Sequence, residues 1–152
     1  FTVNIGLIEN GIPTLGVVYA PALHRMFFAS VSIGVFEESN DLIKPIAIRA
    51  LPHSGAVAVA SVSHRDELTN TWLNDHKIKN TTSIGSSLKF CLVACGEADV
   101  YPRFGPTMEW DTAAGDAVLR CAGGSVTLPN DEPFRYGKSS YRNGPFIARG
   151  SF

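Results

Sequence analysis

The sequence lacks the features of a membrane protein, a nucleic-acid-binding protein or a disulfide-rich secreted protein. Its longest uncharged apolar run, Gly55 to Val62, is far short of the ~20 residues that a membrane span needs. Its 13 Lys and Arg against 14 Asp and Glu leave no basic excess for duplex nucleic acid. Its three cysteines cannot all pair and lack zinc-ligand spacing. With 152 residues, 45% of them hydrophobic, it is predicted to form a globular protein with free thiols in a reducing compartment.

Two common hydrolase signatures are also missing. The sequence contains no Gly-x-Ser-x-Gly turn for a serine nucleophile. Cys91 and Cys95 are expected on the apolar face of a helix, without the flanking histidine that activates a cysteine nucleophile. Nucleophilic serine or cysteine catalysis is therefore not favoured, and carboxylates and cations at helix and strand ends remain as candidates.

Residues 1–36 are predicted to form an antiparallel meander. Apolar residues alternate with polar or small ones from the first position, which predicts a half-buried strand: Phe1, Val3, Ile5 and Leu7. Asn10-Gly11 then favours a tight hairpin turn. Because domains usually have some lead-in before their first strand, the chain is expected to be a piece of a longer protein whose sheet begins upstream. The alternative is a shortened domain that folds by itself.

Residues 37–152 are predicted to form an α/β layer, because strands and helices alternate from residue 56 onward. Helices are expected near 66–75, 86–95 and 111–122, the last ending at Gly123-Gly124. Leu68, Trp72 and Leu73 are expected on the buried face of the first helix.

Asp111 is the first candidate for chemistry. It is predicted to open a helix, where Asp is a preferred N-cap and where small residues would only allow close packing. Alternatively, its carboxylate at the positive helix end stays ionised and binds a hard metal ion in a phosphatase. Asp116 is ~140° further around the helix and points away, while Glu109 would reach only if the loop allows it. The sequence thus offers no convincing second carboxylate.

The remaining candidates also lie just past a strand or at a helix start, where ligands bind in open α/β sheets. Ser86 and Lys89 follow Gly85 and could form an anion cradle, or Ser could simply cap a helix. Arg103 could clamp a phosphate, or form a surface ion pair. His64 could contact a base or a phosphate, or be a solvated capping residue.

Several segments resemble a known family. Trp110-Asp111-Thr112-Ala113-Ala114-Gly115 resembles the WDxAAG signature of the inositol monophosphatase superfamily. Within it, residues 82–91 and 101–107 are similar to the bacterial CysQ-type 3'(2'),5'-bisphosphate nucleotidases, as are residues 1–5 and 16–21. The resemblance implies the C-terminal part of an α/β/α/β/α sandwich, with the meander in the upstream sheet.

The resemblance also implies an activity. It is the Mg²⁺-dependent removal of the 3'-phosphate from adenosine 3',5'-bisphosphate, giving AMP, in sulfate assimilation. Asp111 would be a catalytic metal ligand that also faces the substrate, and the expected substrate-binding residues are Ser86, Lys89, Arg103 and His64. An inositol monophosphate or sugar phosphatase, or a non-catalytic remnant, remains as an alternative. A cytoplasmic location is implied, free or peripheral at the inner face of the membrane, with no nucleic-acid partner.

The sequence departs from the family in one respect. The family's early metal motifs, a glutamate in an early helix and a DPxDGT strand end, precede the segment that matches Phe1, and neither occurs in this sequence. The groups that activate the attacking water belong to those motifs. The upstream part of the same protein is therefore an expected partner, and the chain by itself is expected to have little activity.

Overall fold

The computed structural model describes residues 1–60 and 66–152. The described strands are β1 (Val3–Glu9), β2 (Ile12–Ala20), β3 (Arg25–Ser30), β4 (Gly34–Ser39), β5 (Leu42–Pro45), β6 (Val57–Ala60), β7 (Asn80–Ser83), β8 (Val100–Arg103), β9 (Thr107–Met108), β10 (Ser125–Thr127), β11 (Arg142–Asn143) and β12 (Phe146–Arg149). The described α-helices are α1 (Glu67–Asp75), α2 (Leu88–Ala94) and α3 (Glu109–Cys121). The predicted mixture of strands and helices is confirmed.

Strands β1 to β5 form an antiparallel meander, hereafter the N-terminal sheet. Asn10 and Gly11 form the first turn with φ of 51° and 75°, the left-handed values that a tight hairpin turn requires. The meander continues to Pro45, beyond the predicted end at residue 36.

The predicted buried face of β1 is wrong. Val3, Ile5 and Leu7 are half or more exposed, and the opposite face of the strand packs on α3. Gly6 lies on that inner face, where an added Cβ would come within 3.1 Å of Ala113 and Ala114. Strand alternation is therefore present, but the apolar residues occupy the outer face of the N-terminal sheet.

The second sheet, hereafter the mixed sheet, has the strand order β10-β12-β8-β6-β7. Its centre is parallel, with β6 beside β7 and β8, while β12 and β10 are antiparallel additions. Two short strands, β9 and β11, pair with each other outside both sheets. These two-residue strands are too short to give a pattern in the sequence and were not expected.

The layers follow the order sheet, helices, sheet, helix. Helices α2 and α3 pack between the two sheets, and α1 lies against the other face of the mixed sheet, where Trp72 and Leu73 join Val100 in a separate apolar cluster. Gly16 of β2 meets the α3 backbone so closely that an added Cβ would be 2.2 Å from the Ala114 carbonyl oxygen. The expected close packing of α3 through small residues is confirmed.

Helix α1 begins after Asp66, whose Oδ1 accepts a hydrogen bond from the Thr69 N–H at 2.7 Å. Trp72 and Leu73 are buried as predicted, whereas Leu68 is 62% exposed. Thr69, three residues before Trp72, takes the buried position instead. None of the helices in the described ranges is long and apolar enough to cross a membrane.

Candidate functional site

Four of the five predicted site residues line one cavity of about 250 Å³. The α2 region, the end of β8 and the first turn of α3 each contribute to its wall. The predicted residues among those that line it are Ser86, Lys89, Arg103 and Asp111. The fifth, His64, lies outside the described residues. The expectation that strand ends and helix starts converge is thus met for four positions.

Asp111 is the third residue of α3 and not its N-cap, which is Met108. Its Oδ2 accepts a hydrogen bond from the Met108 N–H at 2.9 Å, as an acidic residue at this position does in a capping box. The side chain is exposed and lines the cavity, and it lies at a helix N-terminus, which carries a partial positive charge. Asp111 can therefore hold the helix end with one oxygen and offer the carboxylate to a ligand.

Lys89 is a buried cation in the wall of the cavity, only 5% exposed. Its Nζ donates to the Ser86 carbonyl oxygen at 2.8 Å and lies 5.1 Å from the centre of the Tyr101 ring. Burial lowers the pKa of Lys89 to about 8, and the positive charge of Arg103 acts in the same direction. An anion in the cavity would favour the charged form, because an opposite charge nearby stabilises it.

Arg103 is the last residue of β8 and is oriented by the loop that follows the strand. Its Nε donates to the Gly105 carbonyl oxygen at 3.1 Å. Among residues 1–60 and 66–152 the guanidinium forms no salt bridge. Burial acts to raise the pKa of Asp66, but hydrogen bonds from Thr69 and the charge of Arg103 together lower it. A surface electrostatic pairing with Asp66 therefore stays an alternative. The side chain lines the cavity with Lys89, which gives the site two cations for one anionic group.

The two serines before α2 contact β1. Ser87 is the N-cap residue but makes no side-chain capping bond, and its Oγ donates instead to Asn4 Oδ1 at 2.6 Å. The Ser86 hydroxyl is hydrogen-bonded to that of Thr2. The helix begins at Leu88, two residues after the expected start, because Ser86 has a φ of 65°, outside the helical region. Ser86 lines the cavity, and its contact with a substrate stays a prediction.

No second carboxylate joins Asp111 in the described part of the chain. Asp116 is fully buried and accepts hydrogen bonds from Arg120 Nε at 2.6 Å and the Tyr136 hydroxyl at 2.9 Å. Glu109 accepts hydrogen bonds from the Gly137 and Lys138 backbone N–H groups. Both carboxylates are thus used within the fold, as the sequence indicated for Asp116.

Asp111 fits a hard cation such as Mg²⁺, because an ionised carboxylate oxygen is the donor that such a cation prefers. Among residues 1–60 and 66–152 there is no group of three or more His, Cys, Asp or Glu that could hold a metal ion. Among the described residues Asp111 is therefore one candidate ligand, without the further carboxylates that a complete metal site needs.

Sequence reasoning missed several residues of this site. Asn4, Thr107 and Thr112 line the same cavity, and Arg142 lines a second one beside Asp111. Asn4 lies in a segment whose resemblance was clear, but strand alternation assigned it to the solvent face. Arg142 gave no signal, because its position depends on the short pairing of β11 with β9.

The fold and the site agree with one family of proteins. The sequence model of the inositol monophosphatase family matches residues 1–149, and the chain belongs to this family. The resemblance found in the sequence is confirmed.

Curated relatives include bacterial 3'(2'),5'-bisphosphate nucleotidases named CysQ. The chain is 51% identical to the Salmonella typhimurium protein over 127 aligned residues. This alignment covers 83% of the chain and 50% of the relative. It is 48% identical over 137 residues to the Escherichia coli K12 protein, covering 90% of the chain and 54% of the relative. The chain therefore spans about half the length of the curated relatives it matches.

Solved structures give the same assignment. CysQ from Bacteroides thetaiotaomicron, described as a bacterial member of the inositol monophosphatase family, superposes with a TM-score of 0.86 at 40% identity, over 100% of this chain and 63% of that chain. Inositol monophosphatase from Anabaena superposes with a TM-score of 0.79 at 28% identity, over 100% of this chain and 61% of that one. The predicted fold class is confirmed.

Proposed function

We propose that the protein containing this chain is a Mg²⁺-dependent phosphatase that removes the 3'-phosphate of adenosine 3',5'-bisphosphate to give AMP. The observation that carries the proposal is the convergence of Lys89 and Arg103 in the cavity that Asp111 lines. A nucleotide bisphosphate has a second phosphate for these cations, whereas inositol monophosphate has none. The names of the CysQ relatives support the same substrate class.

Some residues of this chain would bind the metal ion, and others would bind the substrate. Asp111 would hold one Mg²⁺, which when bound polarises the phosphate and generates the hydroxide nucleophile. Lys89 and Arg103 hold the phosphate that is not cleaved, with charge-assisted hydrogen bonds. Ser86 closes the same wall of the cavity, and the tie between Ser87 and Asn4 fixes that wall to β1.

The upstream part of the same protein is the proposed partner of the chain. The outer face of the N-terminal sheet presents an apolar surface without a covering layer in the described ranges, and its exposed residues include Val3, Ile5, Leu7, Tyr19 and Ile43. Apolar patches of this kind mark interaction sites. A helical layer on this face would turn the observed sheet–helices–sheet–helix order into the five-layer sandwich that the sequence resemblance implies.

A cytoplasmic place in sulfate assimilation follows from the proposed substrate. The three cysteines are free thiols, which suits a reducing compartment. Burial raises the pKa of Cys95 to about 11, so that thiol is protonated and unreactive at neutral pH.

The proposal is tested by phosphate release from the protein encoded by the whole reading frame, assayed with Mg²⁺. We expect kcat/KM on adenosine 3',5'-bisphosphate to exceed that on inositol 1-phosphate by at least about 10-fold, the worth of one charge-assisted contact. Chelation of the metal should abolish release. Equal or better turnover of inositol 1-phosphate would instead support the sugar phosphatase alternative, and turnover of neither would support a non-catalytic role.

A further inference from the structure

Arg142 lines a second cavity, of about 340 Å³, that adjoins the first at Asp111. The wall of this second cavity is formed by Pro106, Thr107, Met108, Asp111 and Arg142. Of these, Pro106, Thr107 and Asp111 also line the first cavity. Lys89 and Arg103 line the first and Arg142 the second. Asp111 thus lines both cavities, one with Lys89 and Arg103 and the other with Arg142.

The backbone at Arg142 is held firmly. Arg142 pairs with Met108 across β11 and β9. The neighbouring Asn143 is 2% exposed, and its Nδ2 donates to Thr112 Oγ1 at 3.0 Å and to Thr107 Oγ1 at 3.2 Å. Its Oδ1 accepts a hydrogen bond from Lys138 Nζ at 3.0 Å. These bonds fix β11 against the first turn of α3.

Glu109 completes this support from the helix side. Its carboxylate accepts hydrogen bonds from the backbone N–H groups of Gly137 and Lys138, each at 3.0 Å, and from Lys138 Nζ at 3.2 Å. The polar groups around β11 are thus paired with one another. By contrast, the Arg142 guanidinium has no hydrogen-bond or ion-pair partner in the part of the chain that the structure describes.

We propose that Arg142 binds the phosphate group that the enzyme cleaves, reaching it from the cavity on the other side of Asp111 from Lys89 and Arg103. This inference rests on the proposed function. The first cavity, of about 250 Å³, is smaller than the roughly 300–1,000 Å³ usual for ligand pockets, and the second cavity adjoins it at Asp111 and leads to Arg142. The planar guanidinium presents two donors that match two phosphate oxygens.

The first test measures binding of inorganic phosphate by calorimetry, using the full-length protein with Mg²⁺. Arg142→Ala should weaken phosphate binding by about 10-fold or more. Arg135→Ala is the matched control, because Arg135 is an exposed arginine of the same segment that lines neither cavity; its affinity should equal that of the unaltered protein. Equal affinities in all three proteins would overturn the proposal.

The second test compares two substrates. Both adenosine 3',5'-bisphosphate and adenosine 3'-monophosphate carry the phosphate to be cleaved, so Arg142→Ala should lower kcat/KM by the same factor on each. A loss confined to the bisphosphate would assign Arg142 to the other phosphate and overturn the proposal. If the unaltered protein cleaves neither nucleotide, the proposed function fails, while the calorimetric comparison still decides the role of Arg142.

Discussion

Arg103 lowers the pKa of Lys89, although burial of the lysine is the larger cause. Two cations that line one small cavity repel each other and destabilise the empty site. A bound phosphate would relieve this repulsion. The pair is therefore a feature that favours ligand binding over stability, and it makes the site sensitive to pH.

Lys89→Met should stabilise the protein at neutral pH. Burial lowers the pKa of Lys89 from its usual 10.5 to about 8 in the folded protein, so the buried ammonium lowers the free energy of unfolding at all pH values below about 8. Between about pH 8 and 10.5 the unfolded state binds more protons, and stability rises with pH until the penalty is gone. We expect a gain of about 1–3 kcal/mol at pH 7 that disappears near pH 10.5.

Urea denaturation of both proteins at several pH values measures this difference. The affinity for AMP, which keeps the phosphate that is not cleaved, should change in the opposite sense, because the methionine offers no charge. A gain in stability that does not depend on pH would show that packing, and not the buried ammonium, is responsible.

Arg103→Ala should separate the two phosphates of the substrate. Loss of a charge-assisted contact costs about 1.5–3 kcal/mol, so kcat/KM on adenosine 3',5'-bisphosphate should fall by about 10- to 150-fold. Any slow hydrolysis of inositol monophosphate should be nearly unchanged. Equal losses on both substrates would place Arg103 at the common phosphate site or in the fold, and no loss on either would return it to a surface role.

Asp111→Asn should remove activity from the full-length enzyme while barely changing its stability. The amide oxygen of asparagine can still accept the hydrogen bond from the Met108 N–H, but the negative charge that a hard metal requires is lost. We expect less than about a tenth of the activity to remain, a change of at least ~1.4 kcal/mol in the barrier. Retention of more would contradict the metal assignment.

Asp116→Asn, on the same helix, is the contrasting variant. Asp116 is fully buried and paired with Arg120 and Tyr136, so its loss leaves a guanidinium without a countercharge. We expect the free energy of unfolding to fall by about 1–3 kcal/mol, with activity per folded molecule maintained. Thermal unfolding and active-site titration of the same samples distinguish the two aspartates.

Gly16→Ala should destabilise the chain strongly. Its Cβ would be 2.2 Å from the Ala114 carbonyl oxygen and 2.8 Å from the Ala117 Cβ, and neither backbone can yield without moving α3. Overpacking of this kind costs about 1–3 kcal/mol. Gly144→Ala is the control, since an added Cβ there meets nothing within 4 Å. Similar melting temperatures for the two variants would show that β2 and α3 can separate easily.

The 152-residue chain alone should release phosphate slowly or not at all. Asp111 is its one candidate metal ligand in the described ranges, and a catalytic metal site needs several ligands. We expect turnover of adenosine 3',5'-bisphosphate with Mg²⁺ to stay well below the ~1–10³ s⁻¹ of ordinary enzymes. Turnover near 1 s⁻¹ would mean that the missing family motifs are dispensable.

The sequence predicted the order of the long elements and four residues of one cavity, because strand ends and glycine turns carry local signals. It failed where the structure depends on contacts between distant parts of the chain. The outer face of β1 is apolar, and only the packing of Gly6 on α3 shows which side is inside. Similarly, α3 begins at Glu109, two residues before Asp111, and the Glu109 carboxylate accepts hydrogen bonds from Gly137 and Lys138, contacts that no local pattern reveals.

The contact between Gly16 and Ala114 also has a mechanical consequence. At Gly16 the backbone of β2 contacts the backbone of α3, the helix that carries Asp111. No side chain lies between them at this point that could change rotamer and absorb a displacement. The N-terminal sheet and α3 should therefore move as one rigid unit. A layer that packs against the sheet should therefore also shift α3 and the Asp111 carboxylate. The position of Asp111 in the cavity is thereby set by the assembly of the whole molecule.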